Sequence, residues 1–139
     1  RLMFDRPNRG ELLAAAEKTL RDEVLPHLSG SAKYNALMVA SAIAMARREA
    51  EAGYAPAKEI LDGYAEFFGQ DNVYRSGIDA AERIAALNRD LSTAIREGEY
   101  DEDLTGAVHK VLTELAVARL KLSNPGFLET AEYAQPSVC

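Results

Sequence analysis

SAKYNALMVASAIAMARREAEA, residues 31–52, decides the fold class of this chain. Its uncharged run from Tyr34 to Ala46 is too short for a bilayer, which takes about 20 apolar residues. Apolar side chains recur there at helical spacing. Tyr34, Leu37, Met38, Ser41, Ala42 and Met45 make one face, and Val39, Ile43, Ala46 and Ala50 another. A helix apolar on most sides belongs in the middle of a bundle. The alanines at 36, 40, 42, 44 and 46 let neighbouring helices approach closely, because a small knob needs only a shallow groove. Gly53 closes the element.

Working outward, the same periodicity predicts four more helices. The first runs from Asn8 to Leu25, with Asn8 and Glu11 spaced as a capping box. Leu13, Ala16, Leu20 and Val24 form its stripe, and Glu17 and Arg21 pair at i, i+4. Pro56 to Phe68 is a helix started by proline and stopped by Gly69. Ile60, Leu61, Tyr64, Phe67 and Phe68 are its apolar positions. Residues 69–77 read as a polar loop. A fourth helix spans Ile78 to Glu97, capped by Asp79, with Ile84, Leu87, Leu91 and Ile95 inward. A fifth spans Asp101 to Ser123, with Leu104, Val108, Val111, Leu115, Ala118 and Leu122 in one stripe. Asn124-Pro125-Gly126 reads as a turn. Short connections between these helices imply an all-α fold, an antiparallel bundle of about five helices. The expected organisation is one bundle domain over residues 1–126 and a mobile tail over 127–139.

Composition bounds the function classes. Apolar residues make up 47% of the 139 residues and charged ones 27%, which is globular rather than disordered. The net charge of −6 disfavours nonspecific binding to nucleic acid or to an anionic membrane. The charge is uneven: residues 1–48 hold eight Lys/Arg against five Asp/Glu, and residues 49–139 eight against seventeen. One cysteine, Cys139, excludes an intrachain disulfide and fits a cytoplasmic location.

No catalytic constellation emerges. A di-iron bundle needs Glu-x-x-His, but Val24 and Gly106 stand three residues before His27 and His109. A zinc site lacks ligand spacing. His109 reads as a boundary residue of the fifth helix. Arg21 and His27 have the spacing of a helical ribonuclease motif, yet Pro26 interrupts the helix between them. The acidic run Glu97, Glu99, Asp101, Glu102, Asp103 lacks the alternation and central glycine of a calcium loop, and reads as charge at a helix N-terminus. Arg47, Arg48, Glu49 and Glu51 close the second helix and read as a solvated end. Phosphate loops, nucleophile elbows and dinucleotide fingerprints are absent from the sequence. No catalytic, metal or cofactor residue is therefore assigned.

Several ordered stretches carry a resemblance. These are Arg6-Pro7 with Glu11-Leu12-Leu13, then Glu23-Val24-Leu25-Pro26 and Gly30. The alanine-rich run 40–46 follows, closing on Arg48-Glu49, then Ile95-Arg96 with Gly98-Glu99, and Asn124-Pro125. Over residues 6–126 the chain resembles a bacterial all-helical family catalogued only as a domain of unknown function. Residues 54–78 fall in its variable middle, and Ser41 stands where the family pattern often has Asn. Members of that family are encoded beside, or fused to, aminoglycoside-phosphotransferase-like kinases and beside acyl-CoA dehydrogenases. The resemblance implies a non-enzymatic accessory domain with such a kinase or dehydrogenase as partner. The alternative is a small-molecule module holding an acyl chain or acyl-CoA at Met38/Met45 or Phe67/Phe68. Neither nucleic acid nor membrane is an expected partner, and a homodimer is compatible with each reading.

Overall fold

The computed structural model describes residues 6–74, 79–103 and 105–134. It is all-α, with no strand among the described residues. The helices are α1 (Arg9–Thr19), α2 (Gly30–Ala52), α3 (Ala55–Phe68), α4 (Gln70–Val73), α5 (Ala80–Arg96), α6 (Ala107–Ser123) and α7 (Pro125–Ala134). Among the described residues, no helix is long and apolar enough to cross a membrane. The chain folds as two compact units. One contains α1, α2 and α7; the other contains α3, α4, α5 and α6 through Leu120.

In the first unit, α1 begins as its sequence dictates. Asn8 Oδ1 accepts from the Glu11 amide and Glu11 returns a bond to the Asn8 amide, both at 2.9 Å. The end of α1 departs from the expected straight helix to Leu25. The chain widens into a π-turn at Leu20–Val24 and then tightens to a 3-10 turn at Leu25–His27. A π-turn inserts one residue into the helical count and rotates all that follows. The predicted stripe member Val24 is consequently exposed, and Leu25 is buried in its place.

α1 lies on α2 over the alanine row, where Ala40 and Ala44 are buried. One polar junction ties the two helices. Arg47 donates to Glu17 at 2.9 Å and to Glu51 at 3.1 Å, while Arg21 donates to Glu17 at 3.1 Å. Arg48 reaches the Leu122 carbonyl at 2.7 Å, satisfying a group that the end of α6 leaves open. Arg47 and Arg48 thus make structural bonds, where the sequence reads as a solvated end. Residues 127–134, expected in a mobile tail, belong to α7, and the rest of that tail, 135–139, lies outside the described residues. Asn124 accepts from the Phe127 amide at 3.3 Å and Pro125 occupies the first helical position. The Asn-Pro-Gly read as a turn is an N-cap followed by a proline start.

The second unit carries the main core: Ile60, Leu61, Tyr64, Val73, Leu87, Leu91, Val108 and Val111. Gly69, at φ +86°, stops α3 and turns the chain into α4, a short helix within the stretch expected to be loop. Val73 of α4 is buried, and Arg83 donates to its carbonyl at 3.0 Å. Residues 75–77 of that stretch, and Ile78, lie outside the described residues. Asp79 caps α5 by accepting from the Ala81 amide. Its inward stripe holds at Leu87 and Leu91 but then drifts, so that Ala94 is buried and Ile95 exposed. α6 begins at Ala107 rather than Asp101, because turns at Gly98–Asp101 and Tyr100–Asp103 occupy the intervening chain. Leu104, expected in its stripe, lies outside the described residues.

Gly63 fixes the spacing of α3 and α6. A Cβ at this position would stand 2.7 Å from Val111 Cγ2, and Val111 is fully buried. A mid-helix glycine normally costs about 1 kcal/mol against alanine. Here that conformational cost is accepted for closeness.

Two predictions follow from this geometry. Gly63→Ala lowers the urea midpoint, because overpacking of about 1–3 kcal/mol outweighs the gain in helix propensity. A raised midpoint would refute the close approach. Separately, hydrogen bonding from Arg47, with a smaller contribution from Arg21, holds the Glu17 carboxyl below its ordinary 4.5. The lowered value makes this contribution present above that pH and lost as pH falls through it. Glu17→Gln therefore lowers Tm at pH 7, and its effect shrinks as pH falls below the carboxylate range, measured by circular dichroism.

Candidate functional site

The second unit contains a cleft of about 350 Å³. α3 supplies Tyr64. α5 supplies Asn88, Leu91, Ser92, Ile95 and Arg96, and α6 supplies Leu112, Leu115 and Arg119. These positions share faces by helical spacing: Asn88, Ser92 and Arg96 recur every four residues, and Leu112, Leu115 and Arg119 at i, i+3, i+7.

Tyr64 forms the floor. It is fully buried, and its hydroxyl donates to Asn88 Oδ1. Its ring stacks on Phe68, centroids 5.8 Å apart, and tilts against Phe67 at 5.6 Å. Burial pushes the phenol up to about 12, against an opposing pull from the nearby Arg119 guanidinium. The cleft walls are aliphatic. Arg96 uses Nε on the Ser92 carbonyl at 3.2 Å, one of a guanidinium's five donors. None of the nine lining side chains is acidic, although the chain has 22 Asp and Glu.

A second exposed feature belongs to the first unit. α2 buries Ala40 and Ala44 and leaves Tyr34, Leu37, Met38, Val39 and Met45 exposed. Tyr34 is 63% exposed, Val39 51% and Met38 49%. The expectation that α2 is buried on most sides is corrected here. Its volume-poor alanine face, rather than its bulky face, meets α1, because alanines allow the shorter interaxial distance.

The residues weighed for chemistry are scattered. His27 and His109 are exposed, and Arg21 is engaged by Glu17. Asp101, Glu102 and Asp103 lie exposed ahead of α6 rather than in its first turn. Phe67 and Phe68 pack against the core with Tyr100, whose ring meets Phe67 at 6.1 Å. Among the described residues, no three His, Cys, Asp or Glu side chains gather closely enough to hold a metal ion. Sequence reasoning missed Asn88, Arg96 and Arg119. The polar line 88–92–96 beside the Leu87/Leu91 stripe was the available signal for two of them.

Fold and site together define an all-α protein with an arginine-lined apolar cleft and an uncovered apolar helix face. The family model described as Domain of unknown function (DUF6285) matches residues 26–127, and the chain belongs to that family. The matched region begins after α1 and takes in both the α2 face and the cleft. No curated protein and no solved structure matches the chain.

The floor residue gives a test by pH. Unfolded tyrosine ionises near 10 and the buried phenol only near 12, so folding stability falls as pH rises between these values. Tyr64→Phe flattens that fall in denaturant titrations. At pH 7 it costs about 1 kcal/mol, because Asn88 Oδ1 loses its donor. An unchanged alkaline slope would show a solvated phenol.

Proposed function

We propose that this protein is a non-enzymatic accessory domain that docks on a larger protein through the exposed face of α2. The observation that carries the reading is that row of bulky side chains. Tyr34, Met38, Ser41 and Met45 follow one another at i, i+4, i+7 and i+11, so they form a single strip along the helix. Contiguous exposed apolar strips with aromatic and methionine side chains are the composition of interface cores. Methionine also adapts its shape to an opposing surface. The partner we propose is an aminoglycoside-phosphotransferase-like kinase or an acyl-CoA dehydrogenase, on the strength of the family resemblance. Such a role needs no catalytic residues of its own, and we assign it to the cytoplasm of a bacterial cell.

The test uses the purified full chain with an aminoglycoside-phosphotransferase-like kinase and an acyl-CoA dehydrogenase from the same genome. Association at micromolar concentration is expected with one of them. Met38→Glu with Met45→Glu weakens it at least about tenfold, since central apolar anchors dominate interface energies. Both side chains are exposed, so the fold survives the change. No association with either protein would sink the proposal. A chain that instead dimerises in sedimentation, and becomes monomeric in the double variant, would reassign the strip to self-association.

A further inference from the structure

We propose that the free chain pairs with a second copy of itself through α2, antiparallel, along a seam of Asn35, Met38, Ala42, Met45 and Glu49. The inference rests on the reading of α2 as a docking face and names what covers that face before another protein arrives.

Three observations carry it. The first is spacing. Positions 35, 38, 42, 45 and 49 alternate steps of three and four, the 3.5-residue repeat that keeps one seam of a helix against another helix. All five side chains are exposed, and the exposed Tyr34 and Val39 flank them. No side chain from Tyr34 to Ala46 carries a charge, a stretch of about 18 Å at 1.5 Å per residue. The middle of the seam can therefore be covered without stranding an ion.

The second is the order of sizes. Ala42 lies between Met38 and Met45. A small residue at the crossing point lets two helices approach, and adaptable methionines on either side fill the space around it. A two-fold axis at Ala42 brings Met38 of one copy to Met45 of the other, so the surface is complementary to itself.

The third is polar matching at the ends. The same axis sets Asn35 of one copy against Glu49 of the other, at both ends of the seam. An asparagine amide has two N–H donors and a carboxylate has only acceptors, so the pair can hydrogen-bond. Parallel pairing sets Glu49 against Glu49, where like charges repel. A polar seam position fixes register and orientation in helix pairs generally.

Sedimentation of the full chain, with no other protein present, reads the pairing. A dimer with Kd on the order of 10 µM is expected, as suits a single helix face. Asn35→Glu puts like charges across the seam and weakens the dimer about tenfold. Adding Glu49→Lys to that variant restores it. Both positions are exposed, so the variants fold as the parent does. Orientation is read by mild oxidation in a Cys139→Ser background. Ala42→Cys is expected to form a disulfide between copies. Met38→Cys is not, because antiparallel pairing holds the two copies of that position about 12 Å apart along the helix, beyond disulfide reach. A chain monomeric at millimolar concentration overturns the seam and leaves the docking reading standing. A dimer indifferent to Asn35→Glu overturns the register, and a disulfide through Met38→Cys alone overturns the orientation. A dimer that passes these tests, in a chain that binds neither kinase nor dehydrogenase, upholds the seam while the docking reading fails.

Discussion

Close approach of α3 and α6 at Gly63 is the constraint on which the second unit rests. With Val111 Cγ2 standing where a Cβ would go, neither helix can back away without opening the core around Tyr64 and Leu91. The same approach brings the floor tyrosine of α3 beneath the leucines of α6. A void the size of the cleft inside a packed domain is uncommon, since interiors are filled to crystal-like density. Here it is roofless and lined by charge, which is the signature of a surface recess and not of a packing fault.

Helix identity was largely legible because it depends on local terms. Capping by Asn8 and Asp79, proline at 56 and glycine at 53 and 69 act within one turn of themselves, and each does what its chemistry predicts. The misreadings have local causes as well. The π-turn after Thr19 displaced the stripe by one residue, which no 3.6-residue count anticipates. Asn124-Pro125-Gly126 serves equally as a turn and as a helix start, and only the chain beyond it distinguishes the two. The delayed start of α6 reflects glycines at 98 and 106, which favour turns over a helix interior.

Which face of α2 turns inward was not legible. Hydrophobicity ranks the bulky side above the alanine side, so a pattern reading buries Tyr34, Met38 and Met45. Packing obeys distance as well as hydrophobicity: the Glu17–Arg47 contact at 2.9 Å can form only where α1 and α2 lie near each other, and alanines permit that. The ionic junction and the alanine row therefore select the same orientation. The bulky strip is left outside as a consequence, and its exposure is a property of the fold and not of loose packing.

The cleft was illegible for a different reason. Asn88 and Tyr64 are 24 positions apart, and Arg96 and Arg119 are separated by a whole turn region and most of α6. Taken singly, each arginine is an ordinary solvated residue on an amphipathic helix. Together they line one recess, which only the packing of α5 against α6 brings about. Burial raises the Tyr64 phenol above its usual value, so at neutral pH the floor of that recess stays uncharged.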